Sequence, residues 1–267
     1  MVSKESVREE THAVGADTLR VLSGGSGRPL LVLHEELGYP GWLGWNRALS
    51  AKRTLLIPLH PGFGRTPRAD WIMNVRDLAC FYGRFLREQR LAPIDAIGFG
   101  FGGWIAAEMA ANDPSLFSRM VLVAPAGIRP PEGEIRDLFT IAALTYLRKS
   151  VLDEHTPEFH SLFDGGRSPE NYEAFEDARA ETARLAWQPY MYNPSLPRLL
   201  EGAAGVRTMI VWGREDPIVP FSAASIYQRS IRDSKLVAFD RCGHRPEIER
   251  ADQFVRELEN FLYSGLA

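Results

Sequence analysis

Residues 97–110, IGFGFGGWIAAEMA, constrain the fold of this chain more than any other stretch. A short apolar run, Ile94–Gly98, leads straight into Gly98-Phe99-Gly100-Phe101-Gly102-Gly103, and a small-residue segment with Ala106, Ala107 and Ala110 follows. That density of glycine suits a strand turning sharply into a helix, with backbone packed on backbone where no side chain fits. Position 100 stands at the tip of the turn and carries no side chain.

The segments around the turn have the same alternating character. Pro29–His34 (PLLVLH), Thr54–Leu59 (TLLIPL) and Met120–Ala124 (MVLVA) are short, continuous apolar runs, as strands buried on both faces are. Thr18–Leu22 alternates and predicts an earlier strand, closed by a turn at Gly24, Gly25 and Gly27. Trp42–Leu49 and Trp104–Ala111 read as helices. Asn74 caps a longer amphipathic helix reaching about Arg90, with Val75, Leu78, Phe81, Phe85 and Leu86 on its apolar face and Cys80 also placed on the core side. Strands alternating with helices predict an α/β fold with a doubly wound, mostly parallel sheet. Between Pro130 and about Gly205 the alternation stops, and only helical patterns occur, at Ile135–Val151 and Asn171–Trp187. Strand runs resume at Thr208–Trp212 and Lys235–Phe239. The organisation expected is a core of residues 1–130 and 204–267, with residues 131–203 inserted as a helical cap over one end of the sheet.

Charge and composition narrow the functional classes. A net charge of −3 offers no electrostatic footprint for nucleic acid or an anionic membrane. No apolar run is long enough for a transmembrane helix, and the N-terminus, MVSKESVREETH, is too charged for a signal peptide. Cys80 and Cys242 give neither a disulfide framework nor a metal-binding spacing. The expectation is a cytoplasmic, cofactor-independent monomer or homodimer whose partner is a small molecule.

Several motifs then fall in an order that resembles the α/β-hydrolase superfamily, in its capped branch of lipases, esterases and C–C hydrolases. The turn at Gly98–Gly102 is similar to the G-x-S-x-G nucleophile elbow, with Gly100 where the serine stands. Leu33-His34 ends the third family strand, where an oxyanion loop normally begins. His60-Pro61-Gly62-Phe63-Gly64-Arg65-Thr66 resembles the family's D-x-P-G-x-G-x-S loop. Gly213-Arg214-Glu215-Asp216-Pro217 resembles the loop carrying the triad acid, and Gly243-His244-Arg245-Pro246, followed by Glu249, the loop carrying the triad histidine. The resemblance covers nearly the whole chain. It implies a cap inserted after the sixth family strand, an Asp216–His244 pair, and the Phe101 backbone N–H as an oxyanion donor at a helix N-terminus.

Two departures bear on function. Glycine has no atom that can attack, so an acyl-enzyme at Gly100 is excluded, and loss of a triad nucleophile costs on the order of 10⁶ in turnover. The missing side chain leaves room on the scale of one water. Relatives typically have His-Gly where this chain has His34-Glu35-Glu36, and two carboxylates beside an oxyanion hole oppose developing negative charge. Either they turn out to solvent, or one enters the pocket as an acid or base with its pKa raised by apolar surroundings; Glu36 is the stronger candidate. A metal held by His34, Glu35 or Glu36 with His60 or His244 matches no known ligand spacing.

An aromatic-rich cap, with Phe139, Tyr146, Phe159, Phe163, Trp187, Tyr190 and Tyr192, could close a pocket over Phe99 and Phe101 suited to an apolar or aromatic molecule. Two functional readings compete. One is an enzyme using His244–Asp216 as general base on water or on substrate, for hydrolysis or a lyase-type step. The other is an inactive member that binds a small hydrophobic ligand or a protein partner. Removal of a serine by design is a third origin for Gly100.

Overall fold

A computed structural model of the protein describes residues 7–64, 66–166 and 168–264. Arg65 and the side chain of Phe163 lie outside the described residues. The first half runs β1 (Arg8–Val14), β2 (Asp17–Gly25), β3 (Arg28–Leu33), α1 (Gly44–Ser50), β4 (Arg53–Pro58) and α2 (Val75–Glu88). It continues through β5 (Ile94–Phe99), α3 (Gly100–Asn112) and β6 (Phe117–Val123). Four helices come next: α4 (Ala143–Lys149), α5 (Pro157–Gly166), α6 (Pro169–Ala186) and α7 (Leu196–Leu200). The chain then returns to the sheet with β7 (Arg207–Gly213), α8 (Ala224–Ser230), β8 (Ser234–Phe239), α9 (Pro246–Glu249) and α10 (Ala251–Tyr263).

The eight strands form one sheet in the order β1-β2-β4-β3-β5-β6-β7-β8. β1, β2 and β4 pair antiparallel in turn, and every pairing from β4 across to β8 is parallel. The middle of the sheet is fully buried: all six residues of β5 are, as are six of seven in β7. That is the burial the continuous apolar runs predict, because helices cover both faces of a parallel sheet. The expected α/β fold is therefore the one observed.

The differences have local reasons. β1, Arg-Glu-Glu-Thr-His-Ala-Val, is an exposed edge strand without apolar alternation, and the sequence reading did not identify it. The helix expected over Ile135–Val151 forms only at Ala143–Lys149, and α5 was not anticipated. The helix expected from Trp104 starts at Gly100. Asn74 does cap α2, its Oδ1 accepting from the Asp77 N–H at 2.9 Å. Cys80, however, is exposed, which corrects its placement on the core side. The apolar face of α2 runs through Leu78, Phe81, Tyr82 and Phe85, and Cys80 falls between its ridges.

Candidate active site

The strand–turn–helix at β5 and α3 is built by close approach. A Cβ on Gly98 would lie 2.5 Å from the Gly102 carbonyl oxygen, and one on Gly103 would lie 2.8 Å from Pro125 Cβ. Gly100 opens α3 at φ +47°, the left-handed region that L side chains rarely adopt. The turn thus holds the strained backbone that displays an elbow side chain, and the side chain itself is a hydrogen.

The space above Gly100 is filled by Glu36. A Cβ built on Gly100 would lie 2.5 Å from Glu36 Oε2 and 3.3 Å from His244 Nε2. Glu36 Oε2 accepts from the Phe101 N–H at 3.2 Å, the donor that faces an oxyanion in the elbow resemblance. Its Oε1 accepts from the Tyr146 hydroxyl at 2.6 Å and lies 3.7 Å from His244 Nε2. The Glu36 backbone carbonyl accepts from Thr182 Oγ1 of α6 at 2.8 Å. A carboxylate therefore stands where a water was expected. The expectation that an inward glutamate has a raised pKa is also corrected for Glu36. Burial pushes it up, but the His244 charge and the Tyr146 hydroxyl outweigh burial and hold the pKa below the ordinary value.

His244 and Asp216 come together from the loops after β8 and β7. His244 Nδ1 donates to Asp216 Oδ2 at 2.8 Å, while Asp216 Oδ1 accepts the N–H groups of Ile218 (2.8 Å) and Val219 (3.0 Å). The His244 N–H donates to the Ser150 carbonyl at 2.8 Å. Glu249 braces the same loop, Oε2 accepting from the Gly243 N–H at 2.7 Å and Oε1 from the Leu152 N–H at 2.8 Å. Burial disfavours an imidazolium here, but Asp216 and Glu36 more than compensate, and His244 is raised to about 9. The ring lies between two carboxylates, both of which favour its protonated form.

Glu35 has its own partner. Arg245 Nη1 donates to Glu35 Oε1 at 2.6 Å, and Arg245 Nε donates to Ser150 Oγ at 2.6 Å. Adjacent carboxylates on one loop thus face adjacent cations on another, Glu36 opposite His244 and Glu35 opposite Arg245. Burial raises the Glu35 pKa against the pull of Arg245, and raises Glu247, 3.8 Å from Arg245, to about 8. Both glutamates are buried, so the solvent-facing alternative does not hold.

His34 and His60 form a buried, mutually hydrogen-bonded pair beside the site. His34 Nε2 accepts from the His60 N–H at 3.1 Å while its Nδ1 meets the Glu35 carbonyl at 3.0 Å. His60 Nδ1 meets the Tyr82 hydroxyl at 2.6 Å and Nε2 the His34 carbonyl at 3.1 Å. Burial lowers both, His34 to about 4, so they stand as neutral, saturated rings with no nitrogen left for a metal. Among the described residues no group of three His, Cys, Asp or Glu is arranged to hold a metal ion. Phe101 is packed against Phe63 and Trp104, and Phe99 against Trp45 and Phe254. A cavity of about 350 Å³ lies to one side, where His34, Leu37, Tyr39 and Phe63 face Leu162 and Phe175 of α5 and α6. A much smaller one, about 20 Å³, touches Glu35, Trp45, Phe99 and Glu247. Gly100, Glu36 and His244 line neither.

Arg245, Ser150 and Glu247 were missed as site residues, and Tyr146 was read only as one of several cap aromatics. Arg245 directly follows His244, so a charge count across the two loops would have found it. Tyr146 and Ser150 lie on the inserted segment, where nothing in the sequence says which aromatic points inward.

The alpha/beta hydrolase family is matched over residues 30–257. The chain is 26% identical over 262 residues to a 2-hydroxymuconate semialdehyde hydrolase of Pseudomonas sp. (strain CF600), covering 89% of this chain and 88% of that one. It is 26% identical over 276 residues to a 2-hydroxy-6-oxo-2,4-heptadienoate hydrolase of Pseudomonas putida, covering 98% and 95%. Among solved structures, a 2-hydroxy-6-oxo-6-phenylhexa-2,4-dienoate hydrolase from Rhodococcus sp. strain RHA1 superposes with a TM-score of 0.75 at 20% identity, over 98% of this chain and all of that one. At that identity the likeness is one of fold.

Proposed function

The chain belongs to the alpha/beta hydrolase family, and on that premise we propose that it is an enzyme acting on a small, partly hydrophobic or aromatic molecule without a covalent serine. Residues 131–203 form its cap and the remainder its core. The reaction is a hydrolysis or a lyase-type step driven by proton transfer between His244, held by Asp216, and the Glu36 carboxylate. The observation that carries the reading is the Glu36–His244 pair above Gly100, 3.7 Å apart, with Phe101 N–H and Tyr146 O–H as fixed donors. An ionised carboxylate facing an imidazolium is an acid and a base in one site, each poised by the other. The relatives are named as hydrolases of a muconate semialdehyde and a dienoate, which supports a small conjugated molecule as the partner.

The test is turnover of a panel of aryl esters and aryl ketones by wild type, His244→Gln and Glu36→Gln. Either substitution should cost on the order of 10²–10⁴-fold. Turnover that survives both would sink the reading. A second reading is favoured by one observation: Glu36 and Tyr146 are each only 1% exposed, so the site is shut. A protein that binds a ligand in the 350 Å³ cavity without chemistry would bind panel members, turn over none, and keep its affinity in both variants.

A further inference from the structure

We propose a second binding site, at the seam where the inserted segment rejoins the core, that takes the zwitterion of a free α-amino acid with an apolar side chain. It is independent of the reaction proposed above. The cavity there, about 260 Å³, lies between the N-terminal turn of α2, the second half of α3 and residues 185–194. Glu108, on its wall, stands about two turns along α3 from Gly100, roughly 12 Å from the elbow along the helix axis.

The polar end of this cavity is built from opposite charges that do not satisfy each other. Glu108 is 1% exposed. Its Oε1 accepts from Asn193 Nδ2 at 2.7 Å and from the Trp104 indole N–H at 3.1 Å. Its Oε2 is buried and accepts no hydrogen bond among the described residues. Arg76 Nε stands 3.5 Å from that oxygen, an ion pair without a hydrogen bond, and the Arg76 side chain is 47% exposed. A buried carboxylate oxygen without a donor is costly, whereas a half-exposed arginine turns aside at little cost. Arg76 is also the second residue of the 14-residue helix α2. The first N–H groups of a helix have no intrahelical acceptor, and together with the helix dipole they favour an anion beside them.

Both charges of the ligand are set by this arrangement. Its ammonium donates to Glu108 Oε2, and the carboxylate on the same carbon pairs with Arg76 at the α2 N-terminus. A bare amine would leave Arg76 facing a second cation, and a bare carboxylate would meet Glu108. Only a ligand carrying both charges matches a pair that is neutral overall. The remaining wall, with Trp104, Leu185, Pro189 and Tyr192, is apolar or aromatic and receives the side chain. At about 260 Å³ the cavity falls below the range of pockets for drug-sized molecules, which suits a ligand as small as an amino acid.

The experiment titrates L-phenylalanine into the full chain and follows by NMR the Trp104 indole N–H, which donates to Glu108. A saturable shift with a Kd at or below about 1 mM is expected. Phenethylamine, which lacks the carboxylate, and 3-phenylpropionate, which lacks the ammonium, should each bind at least about tenfold more weakly. Arg76→Met and Glu108→Gln should each weaken phenylalanine binding by at least about tenfold. If Glu108→Gln does not fold, Arg76→Met and the two analogues decide. No shift at about 10 mM phenylalanine overturns the inference, as does binding of either analogue as tight as that of phenylalanine, or unchanged affinity in Arg76→Met. Turnover of the aryl-ester and ketone panel is measured separately, so the proposed reaction stands or falls without this site.

Discussion

A serine at position 100 would have to enter space that the Glu36 carboxylate holds, and would have to adopt a backbone conformation that L residues resist. Its Cβ would stand 3.3 Å from His244 Nε2, close enough for its hydroxyl to reach the ring, but Glu36 Oε2 lies nearer. Gly100→Ser alone is therefore expected to stay unlabelled by a fluorophosphonate probe, as is the wild type. Gly100→Ser combined with Glu36→Gly removes the obstruction and should label stoichiometrically, read by intact mass. Labelling of the single variant to the same extent would show that Glu36 yields freely. The same pair sets the charge of His244. Glu36 raises the His244 pKa, so in Glu36→Gln the ring should titrate lower than in the wild type, followed by NMR of the imidazole resonances. An unchanged midpoint would mean that Asp216 alone holds the proton.

Helix α4 links the inserted segment to the site through residues one turn apart. Tyr146 donates to Glu36, while Ser150, at the helix's C-terminal end, accepts from the His244 N–H and from Arg245 Nε. α4 therefore closes over both charge pairs. Tyr146→Phe deletes a hydrogen bond to a charged acceptor and should destabilise by about 1.5–3 kcal/mol in denaturant unfolding. A cost near zero would mean that water replaces the hydroxyl and that α4 is already loose. Arg245→Met is the harsher change. It leaves the Glu35 carboxylate buried without its cation, at a cost of about 3–5 kcal/mol, and Glu35→Gln in the same chain should recover part of it. If the double variant is no more stable than Arg245→Met, the two residues are not coupled.

At the scale of the whole molecule the buried charges link stability to pH. The unfolded chain holds His244 near 6.5 and the fold raises it to about 9, so its contribution is present in full below pH 6.5 and is lost as pH rises to about 9. Glu247, raised from 4.5 to about 8, acts in the same direction, because the fold favours its protonated form. Stability should therefore decline from about pH 6.5 to 9, by on the order of 3 kcal/mol for His244 alone, in urea unfolding at fixed ionic strength. A flat profile there would contradict a charged His244. Much of the architecture behind this site was legible beforehand. Continuous apolar runs such as Met120–Ala124 mark strands buried on both faces, and the glycines at 98, 102 and 103 mark a turn that only close backbone contact explains. The segment between β6 and β7 was legible as helical but not in detail, because short helices packed on other helices are set by their contacts more than by their own periodicity. By itself the sequence determined that this is an α/β chain with a glycine at position 100 in the tight turn between β5 and α3, since both follow from residue types at fixed spacing. Where Glu35 and Glu36 point, and that their surroundings raise the His244 pKa, was decided only by tertiary structure. Two buried carboxylates are tolerable only opposite two buried cations, and those cations come from a loop more than two hundred residues away, which no local pattern connects to them.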